Sequence, residues 1–377
     1  MSKLKVMCVF GTRPEAIKMC PLVLELEKHP KIESIVCVTG QHRQMLDQVI
    51  EIFDIKVDYD LEIMRPQQTL ATITANVMLK MEQVFQEVHP DIVFVHGDTS
   101  TSFVVALAAF YHQIPVGHVE AGLRTFDKYS PFPEEMNRCL TGRIADLHFA
   151  PTELNKENLI REGIESNIFV TGNTVIDAFK TTVRDTYQFK APELQCIDLQ
   201  KKRIVLLTAH RRENLGEPLK NICRAVKRIS EAFEDIIVIY PVHLKPAVRE
   251  IVYGLLDEAP HVNLIEPIDV EDMHNLMAKS YMVMTDSGGL QEEAPSFGVP
   301  VLVLRTETER PEAVQAGTVK VVGVDEEMIY KEACVLLTDT EAYQAMAHAV
   351  NPYGDGHASE RIIEYLLISK NMTVEEQ

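Results

Sequence analysis

The segment VMCVFGTRPEAIK, residues 6–18, decides the fold. Val6 to Phe10 is an unbroken apolar run of strand length, and a run without alternation fits a strand buried on both faces of a parallel sheet. It ends at Gly11-Thr12-Arg13-Pro14-Glu15, with Lys18 one turn further on. In open α/β sheets ligands bind beyond the carboxyl ends of the strands, so a buried strand that empties into charge marks a binding edge. Similar apolar, β-branched runs follow at 34–38, 91–97, 114–119, 145–150 and 167–172, separated by longer amphipathic stretches. After a polar stretch without clear period, about 184–202, the alternation resumes at 203–209, 235–242, 262–266, 281–286 and 299–305. Strands alternating with helical stretches give parallel sheets. The expected fold class is therefore α/β, two Rossmann-like doubly wound domains facing a cleft. Residues 1–183 form the first, residues 203–358 the second, and a last helix within 359–377 packs back on the first.

Composition narrows the partners. The 377 residues carry 37 Lys and Arg against 56 Asp and Glu, a formal net charge of −19, with 46% hydrophobic and 25% charged residues. That is ordinary for a globular fold, and the negative excess argues against nucleic acid or an anionic membrane. An anionic ligand must then be held by a local site. The seven Cys (8, 20, 37, 139, 196, 223, 334) form no CxxC pair and read as buried free thiols in a reducing compartment. Val6–Phe10 is too short for a signal-peptide core, which places the protein in the cytoplasm. The uncharged stretch 99–119 is interrupted by Pro115 and Gly117 and reads as a helix entering a buried strand rather than a membrane span.

The strand ends are polar throughout: His96-Gly97-Asp98, His118-Val119-Glu120-Ala121-Gly122, His210-Arg211-Arg212-Glu213-Asn214, His243, Asp286-Ser287-Gly288-Gly289 and Thr308-Glu309-Arg310-Pro311-Glu312. Ser287-Gly288-Gly289 reads as side-chain-free backbone opening a helix whose free amides attract an anion, or else as a plain turn. Arg13 with Lys18, and His210 with Arg211 and Arg310, would add charge-assisted bonds to a diphosphate, and Glu293 could accept from ribose hydroxyls. No G-x-G-x-x-G follows a strand and no P-loop occurs, so a nicotinamide cofactor is not expected. Asp98, Glu120 and Glu134, the last in the loop PFPEEMNR, are candidate general acids and bases. For Asp98 the alternative is to cap the helix starting at Thr99. No metal is expected, because the thirteen His lack zinc spacing; His96, His112, His118 and His148 fall in or beside apolar runs and read as core imidazoles.

Together these motifs closely resemble the bacterial non-hydrolysing UDP-N-acetylglucosamine 2-epimerases. The resemblance runs through FGTRPEAIK (10–18), TGQHRQML (39–46), HGDTSTS (96–102), GHVEAGLRT (117–125), PFPEEMNR (131–138), VTGNTVID (170–177), AHRRENLGEP (209–218), DSGGLQEEAPSFGVPVLVLR (286–305), TERPEAV (308–314) and NPYGDGHASERI (351–362). It implies the glycosyltransferase-B fold, a homodimer, and reversible interconversion of UDP-N-acetylglucosamine and UDP-N-acetylmannosamine for cell-envelope polysaccharide. It also implies a route by anti elimination of UDP to 2-acetamidoglucal and re-addition, without cofactor. By matching position the resemblance puts nucleotide contacts on Arg13, Lys18, His210, Ser287, Gly288, Gly289, Glu293 and Arg310, with Met273 where relatives often carry an aromatic near the uracil. Catalysis falls on Asp98, Glu120 and Glu134, with His210 near the departing diphosphate and Arg138 in support. A second, activating UDP-N-acetylglucosamine, an allosteric effector, would meet Gln41, Gln44, Arg211 and His243. The common RDTTERPE reads Arg305-Thr306-Glu307-Thr308-Glu309-Arg310 here. A hydrolysing epimerase, a glycosyltransferase of the same fold and a nucleotide-sugar sensor without turnover are the competing readings.

Overall fold

The computed structural model describes residues 3–40, 43–65, 68–199 and 201–371. The chain forms two compact units, Met1–Thr181 with Tyr353–Gln377, and Thr182–Pro352. Each is a doubly wound α/β domain built on one parallel sheet. In the first unit the strands are β1 (Leu4–Phe10), β2 (Ile32–Val38), β3 (Tyr59–Asp60), β4 (Ile92–His96), β5 (Val116–Val119), β6 (Leu147–Ala150) and β7 (Ile168–Val170), in the order β3-β2-β1-β4-β5-β6-β7. In the second they are β8 (Arg203–Thr208), β9 (Ile236–Pro241), β10 (Val262–Ile265), β11 (Met282–Thr285), β12 (Val301–Val303) and β13 (Val319–Val321), in the order β10-β9-β8-β11-β12-β13. The strand order reverses between β1 and β4 and between β8 and β11. Loops leaving these pairs diverge to opposite faces of the sheet and leave a crevice, where doubly wound folds bind ligands.

β1 and β4 are buried on both faces, as their uninterrupted apolar runs require. In the first unit Val77, Met81 and Phe85 from the helix Leu70–Val88, and Val104, Val105 and Ala108 from the helix Ser100–Tyr111, pack on Met7, Val9, Val93 and Val95. The Ser100–Tyr111 helix followed by β5 accounts for the long uncharged stretch, and no helix among the described residues is long and apolar enough to cross a membrane. In the second unit the amphipathic helix Glu217–Ala232 lays Leu219, Ile222, Val226 and Ile229 onto Val205, Leu207 and Val238.

The structure adds two strands and corrects two readings of the sequence. The edge strands β3 and β13 are only two and three residues long, too short for any periodic signal. The polar stretch 184–202 belongs to the second unit: the buried Asp272 carboxylate accepts from Tyr187 Oη at 2.8 Å, Lys190 N at 2.9 Å and Ala191 N at 2.8 Å. That anchor, with the buried Leu194, ties the stretch to the second unit. Finally, not all seven thiols are buried: Cys8, Cys20, Cys37 and Cys223 are, Cys139 and Cys334 are half-buried, and Cys196 is exposed.

The chain returns to the first unit at Tyr353, whose carbonyl accepts from Asn173 N at 2.7 Å. The helix Ala358–Ser369 is then held at its first turn by the buried Asp177 carboxylate, which accepts from Ala358 N at 3.1 Å and Ser359 N at 2.8 Å. Anionic oxygen at a helix N-terminus satisfies otherwise orphaned amides.

Gly122, after β5, has φ +88°, and a Cβ there would lie 2.1 Å from the Asn155 carbonyl oxygen. Gly122→Ala therefore combines a left-handed backbone with a backbone clash and should destabilise the first unit by about 3 kcal/mol in urea unfolding. A change below about 0.5 kcal/mol contradicts this packing.

Candidate functional site

Two clusters of functional side chains, one per unit, are built on the loops that leave the switch-point strands. In the first unit the loop after β1 is fixed by a capping box. Thr12 caps the helix Arg13–Lys28, and the buried Glu15 carboxylate accepts from Gly11 N at 3.0 Å and Thr12 N at 2.8 Å. Glu15 also accepts from Thr99 Oγ1 at 2.6 Å and Ser102 Oγ at 3.1 Å, which ties the β1 exit to the β4 exit. Arg13 is half-buried at the first position of its helix.

Glu120 follows β5 with φ +60°, a left-handed conformation costly for a residue with a side chain and concentrated at functional sites. Its Oε2 is ion-paired with Lys18 Nζ, accepts from Asn173 Nδ2 at 3.0 Å and lies 3.6 Å from His96 Nε2. Burial alone would raise the Glu120 pKa; Lys18 first and His96 next outweigh it and hold the carboxyl well below the usual carboxylate range. Its other oxygen, Oε1, faces Gly97, where a built Cβ would sit 3.5 Å away. One oxygen of Glu120 is saturated and the other faces backbone with no side chain. Gly97 itself has φ +63° and gives its carbonyl to His118 Nε2 at 2.7 Å. A carbonyl only accepts, so Nε2 carries the proton. Burial pushes the His118 pKa down to about 3, leaving the ring neutral.

Asp98 is ion-paired through Oδ2 with Arg138 Nη2. It does not cap the following helix: Thr99 is the N-cap, its Oγ1 accepting from Ser102 N at 3.1 Å, and Asp98 turns to the arginine instead. Of the two glutamates in PFPEEMNR, Glu135 is the anchor. It accepts from Thr125 N at 3.0 Å and Phe126 N at 2.9 Å and faces Arg138 Nη1 at 3.4 Å. Glu134, the first residue of the helix Glu134–Ile144, has a buried Oε2 with no hydrogen-bond partner among the described residues. A buried polar atom left unpaired is costly, so this oxygen has acceptor capacity that the described residues do not use.

In the second unit the buried Asp286 plays the organising part. Its Oδ2 accepts from His210 N and Arg211 N, both at 2.8 Å, and from Asn214 Nδ2 at 3.0 Å, folding the β8 exit against the β11 exit. The His210 ring stacks on His243 with centroids 4.9 Å apart and planes 11° from parallel. Burial first, and His210 next, lower the His243 pKa. Ser287 precedes the short helix Gly288–Glu293 without capping it through its side chain. A Cβ built on Gly288 would lie 3.7 Å from Nη2 of both Arg211 and Arg310, so two guanidinium groups flank uncovered helix-start backbone. Arg310 is fixed through Nε to the buried Glu292. Thr308 accepts from Arg310 N at 3.1 Å and donates to Gln291 Oε1 at 2.6 Å, which orders the loop after Arg305. Burial would raise the Glu309 pKa, but Arg211, Arg305 and Arg310 together lower it. Glu293 Oε2 lies 3.5 Å from His274 Nε2, and Met273 is half-buried on the helix Val270–Ala278.

The structure thus brings Lys18 to Glu120, Arg138 to Asp98, and Arg211 and Arg310 to Gly288. Gln41 and the side chain of Gln44 lie outside the described residues, whereas Arg211 and His243 stand beside His210. Sequence reasoning missed His96 and Asn173 on Glu120, the anchors Glu15, Glu135 and Glu292, and His274. Asn173 carried a usable signal, since it caps the short helix Thr174–Asp177 through Val175 N at 3.0 Å. His96 had none, because an imidazole ending an apolar strand looks the same whether it faces a core or a carboxylate.

Residues 24–367 match the protein family described as UDP-N-acetylglucosamine 2-epimerase. The UDP-N-acetylglucosamine 2-epimerase of Bacillus subtilis is 61% identical over 368 residues, 97% of this chain and 96% of that protein. The crystal structure of the Neisseria meningitidis UDP-GlcNAc 2-epimerase bound to UDP-GlcNAc superposes with a TM-score of 0.85 at 49% identity, covering 97% of this chain and 100% of that one. Acinetobacter baumannii MurG, at 13% identity and a TM-score of 0.63 over 98% of this chain and 99% of its own, shares the fold alone, that of the glycosyltransferase-B class.

In the unfolded chain His118 protonates near 6.5, whereas folded it stays neutral to about 3. Below about pH 6.5 the unfolded state binds the extra proton, so this contribution to stability is full above that pH and is lost as pH falls, by up to about 1.4 kcal/mol per pH unit. His118→Gln should flatten the pH dependence of urea unfolding between about pH 6 and 4 by close to one proton. An unchanged slope contradicts a neutral, buried ring.

Proposed function

Because this chain belongs to the UDP-N-acetylglucosamine 2-epimerase family, we propose that it inverts C2 of the sugar reversibly and without hydrolysis, by eliminating UDP and adding it back. The observation that carries this reading is the division of Glu120, with Oε2 engaged by Lys18 and Asn173 and Oε1 directed at Gly97. Such a carboxylate is kept ionised and keeps one oxygen for a proton.

The C2 hydrogen of an intact glycoside is too weakly acidic for any carboxylate. Breaking the C1–O bond first changes that: the electron pair leaves with UDP, and positive charge at C1 acidifies the neighbouring C–H. The departing diphosphate is received by the backbone of Ser287, Gly288 and Gly289, by Arg310 and by His210, with Arg13 and Lys18 adding charge. Preorganised donors of this kind contribute roughly 10²–10³-fold each. A carboxylate takes the C2 proton and 2-acetamidoglucal remains. A proton delivered to the opposite face of C2, as the UDP oxygen rejoins C1, completes the inversion with no net change in protons or UDP. Two faces require two groups. Glu120 offers its open oxygen, Glu134 an oxygen with no partner, and Asp98 is oriented by Arg138. Glu293 accepts from the ribose and Met273 packs by the uracil. Arg211 and His243 are the described positions for a second, activating nucleotide sugar. Exposed Leu79, Phe110 and Tyr111 on two adjoining helices support a homodimer. A cytoplasmic place supplying cell-envelope polysaccharide follows from the same resemblance.

An NMR time course of the protein with UDP-N-acetylglucosamine in heavy water should show UDP-N-acetylmannosamine carrying deuterium at C2 and no accumulating free sugar. Free N-acetylmannosamine identifies a hydrolysing enzyme, and absence of turnover a sensor. Asp98→Asn, Glu120→Gln and Glu134→Gln should each lower kcat by about 10²–10⁴-fold while UDP affinity stays within about threefold. Parallel loss of both contradicts the assignment.

A further inference from the structure

We propose that His274 is a positioning residue that holds Glu293 in the orientation needed to receive the ribose hydroxyls of the nucleotide; this rests on the reading of Glu293 given above. The ring is almost fully buried, and both nitrogens address polar atoms. Nδ1 lies 2.8 Å from Thr182 Oγ1, and Nε2 lies 3.5 Å from Glu293 Oε2. A carboxylate only accepts, so Nε2 carries the proton toward Glu293 and Nδ1 is left to accept from the Thr182 hydroxyl.

The neighbouring bonds show that this orientation is built. Thr182 is fully buried, and its carbonyl accepts from Asn275 Nδ2 at 2.7 Å. Asn275 Oδ1 in turn accepts from Arg184 N at 3.0 Å. His274 and Asn275 are adjacent on one helix, so hydroxyl and ring are set by the same brace. A core imidazole filling space would need only one partner; here the second nitrogen is spent on a carboxylate one turn past the glycines. The other oxygen of that carboxylate, Glu293 Oε1, leans over Gly289, where a Cβ would come within 3.1 Å of it. Imidazole stands behind the carboxylate and bare backbone in front of it. With Oε2 held, Oε1 is the atom presented at the helix start, where a diphosphate would bring its ribose. Freed from His274, the glutamate would have several rotamers to choose among, and ordering one of them would weaken binding.

The test is calorimetric binding of two ligands, UDP and its 2′,3′-dideoxy analogue, which lacks both ribose hydroxyls, to the full-length protein and its variants. Glu293→Gln and His274→Asn should each weaken UDP about tenfold and leave the analogue within about twofold. His274→Gln, whose amide nitrogen reaches the position of Nε2, should return UDP to within about threefold of the parent. The double variant His274→Asn with Glu293→Gln should bind UDP no more weakly than Glu293→Gln alone. Thr182→Val, nearly isosteric, should cost UDP about threefold and the analogue nothing, and it decides the matter if His274→Asn does not fold. Equal loss for both ligands in His274→Asn or Thr182→Val makes the ring a packing element and overturns the proposal. UDP affinity unchanged in His274→Asn but tenfold weaker in Glu293→Gln overturns it while the ribose reading stands. Unchanged UDP affinity in Glu293→Gln removes the ribose reading and the proposal with it.

Discussion

In each unit one buried carboxylate holds the switch point of the sheet. Glu15 takes the two amides of the β1 exit and the hydroxyls of Thr99 and Ser102 at the β4 exit. Asp286 takes the two amides and the Asn214 amide of the β8 exit from its own place at the β11 exit. Loops around a crevice cannot satisfy their backbone in a strand ladder, and a carboxylate with several acceptor sites can do it from one position. The candidate side chains sit on these loops or on the helix that follows: Arg13, Lys18 and Asp98 around Glu15, and His210, Arg211 and Ser287 around Asp286. Either anchor, once buried, is costly to remove, because backbone amides such as Thr12 N and His210 N would lose a carboxylate partner away from water.

The division of labour between the units follows from charge. The first gathers carboxylates, two of them steadied by a cation or amide: Glu120 by Lys18 and Asn173, Asp98 by Arg138. The second gathers guanidinium groups around backbone with no side chain at Gly288. A chain with formal net charge −19 repels a diphosphate at long range, so the attraction must be local and short-ranged. Arg211 and Arg310 beside Gly288 are the groups proposed to provide it, and Glu309 and Glu292 balance their charge.

Much of this was legible in the residues. Long apolar runs fixed the central strands, because strands covered on both faces cannot alternate, and the polar segments that end them lie at the strand exits, as expected. The two-residue β3 escaped because pairing at a sheet edge needs no apolar period. Segment 184–202 showed no clear period because its polar groups are anchored by Asp272, more than 80 residues away in sequence. Contacts between different elements likewise hide His274 behind Glu293 and Asn173 behind Glu120. Glu134 and Glu135 differ only by which way one helical step turns a side chain, and spacing alone could not separate the anchor from the free carboxylate.

The central claim is that the C1–O bond opens while UDP stays bound, and substrate carrying heavy oxygen only in the bridge between C1 and the β-phosphorus reads it directly. If the bond breaks and re-forms, the β-phosphate can turn before it returns, and label should redistribute among the β-phosphate oxygens during epimerisation. Label that stays wholly in the bridge while C2 inverts would mean the bond never opened, and would contradict the account.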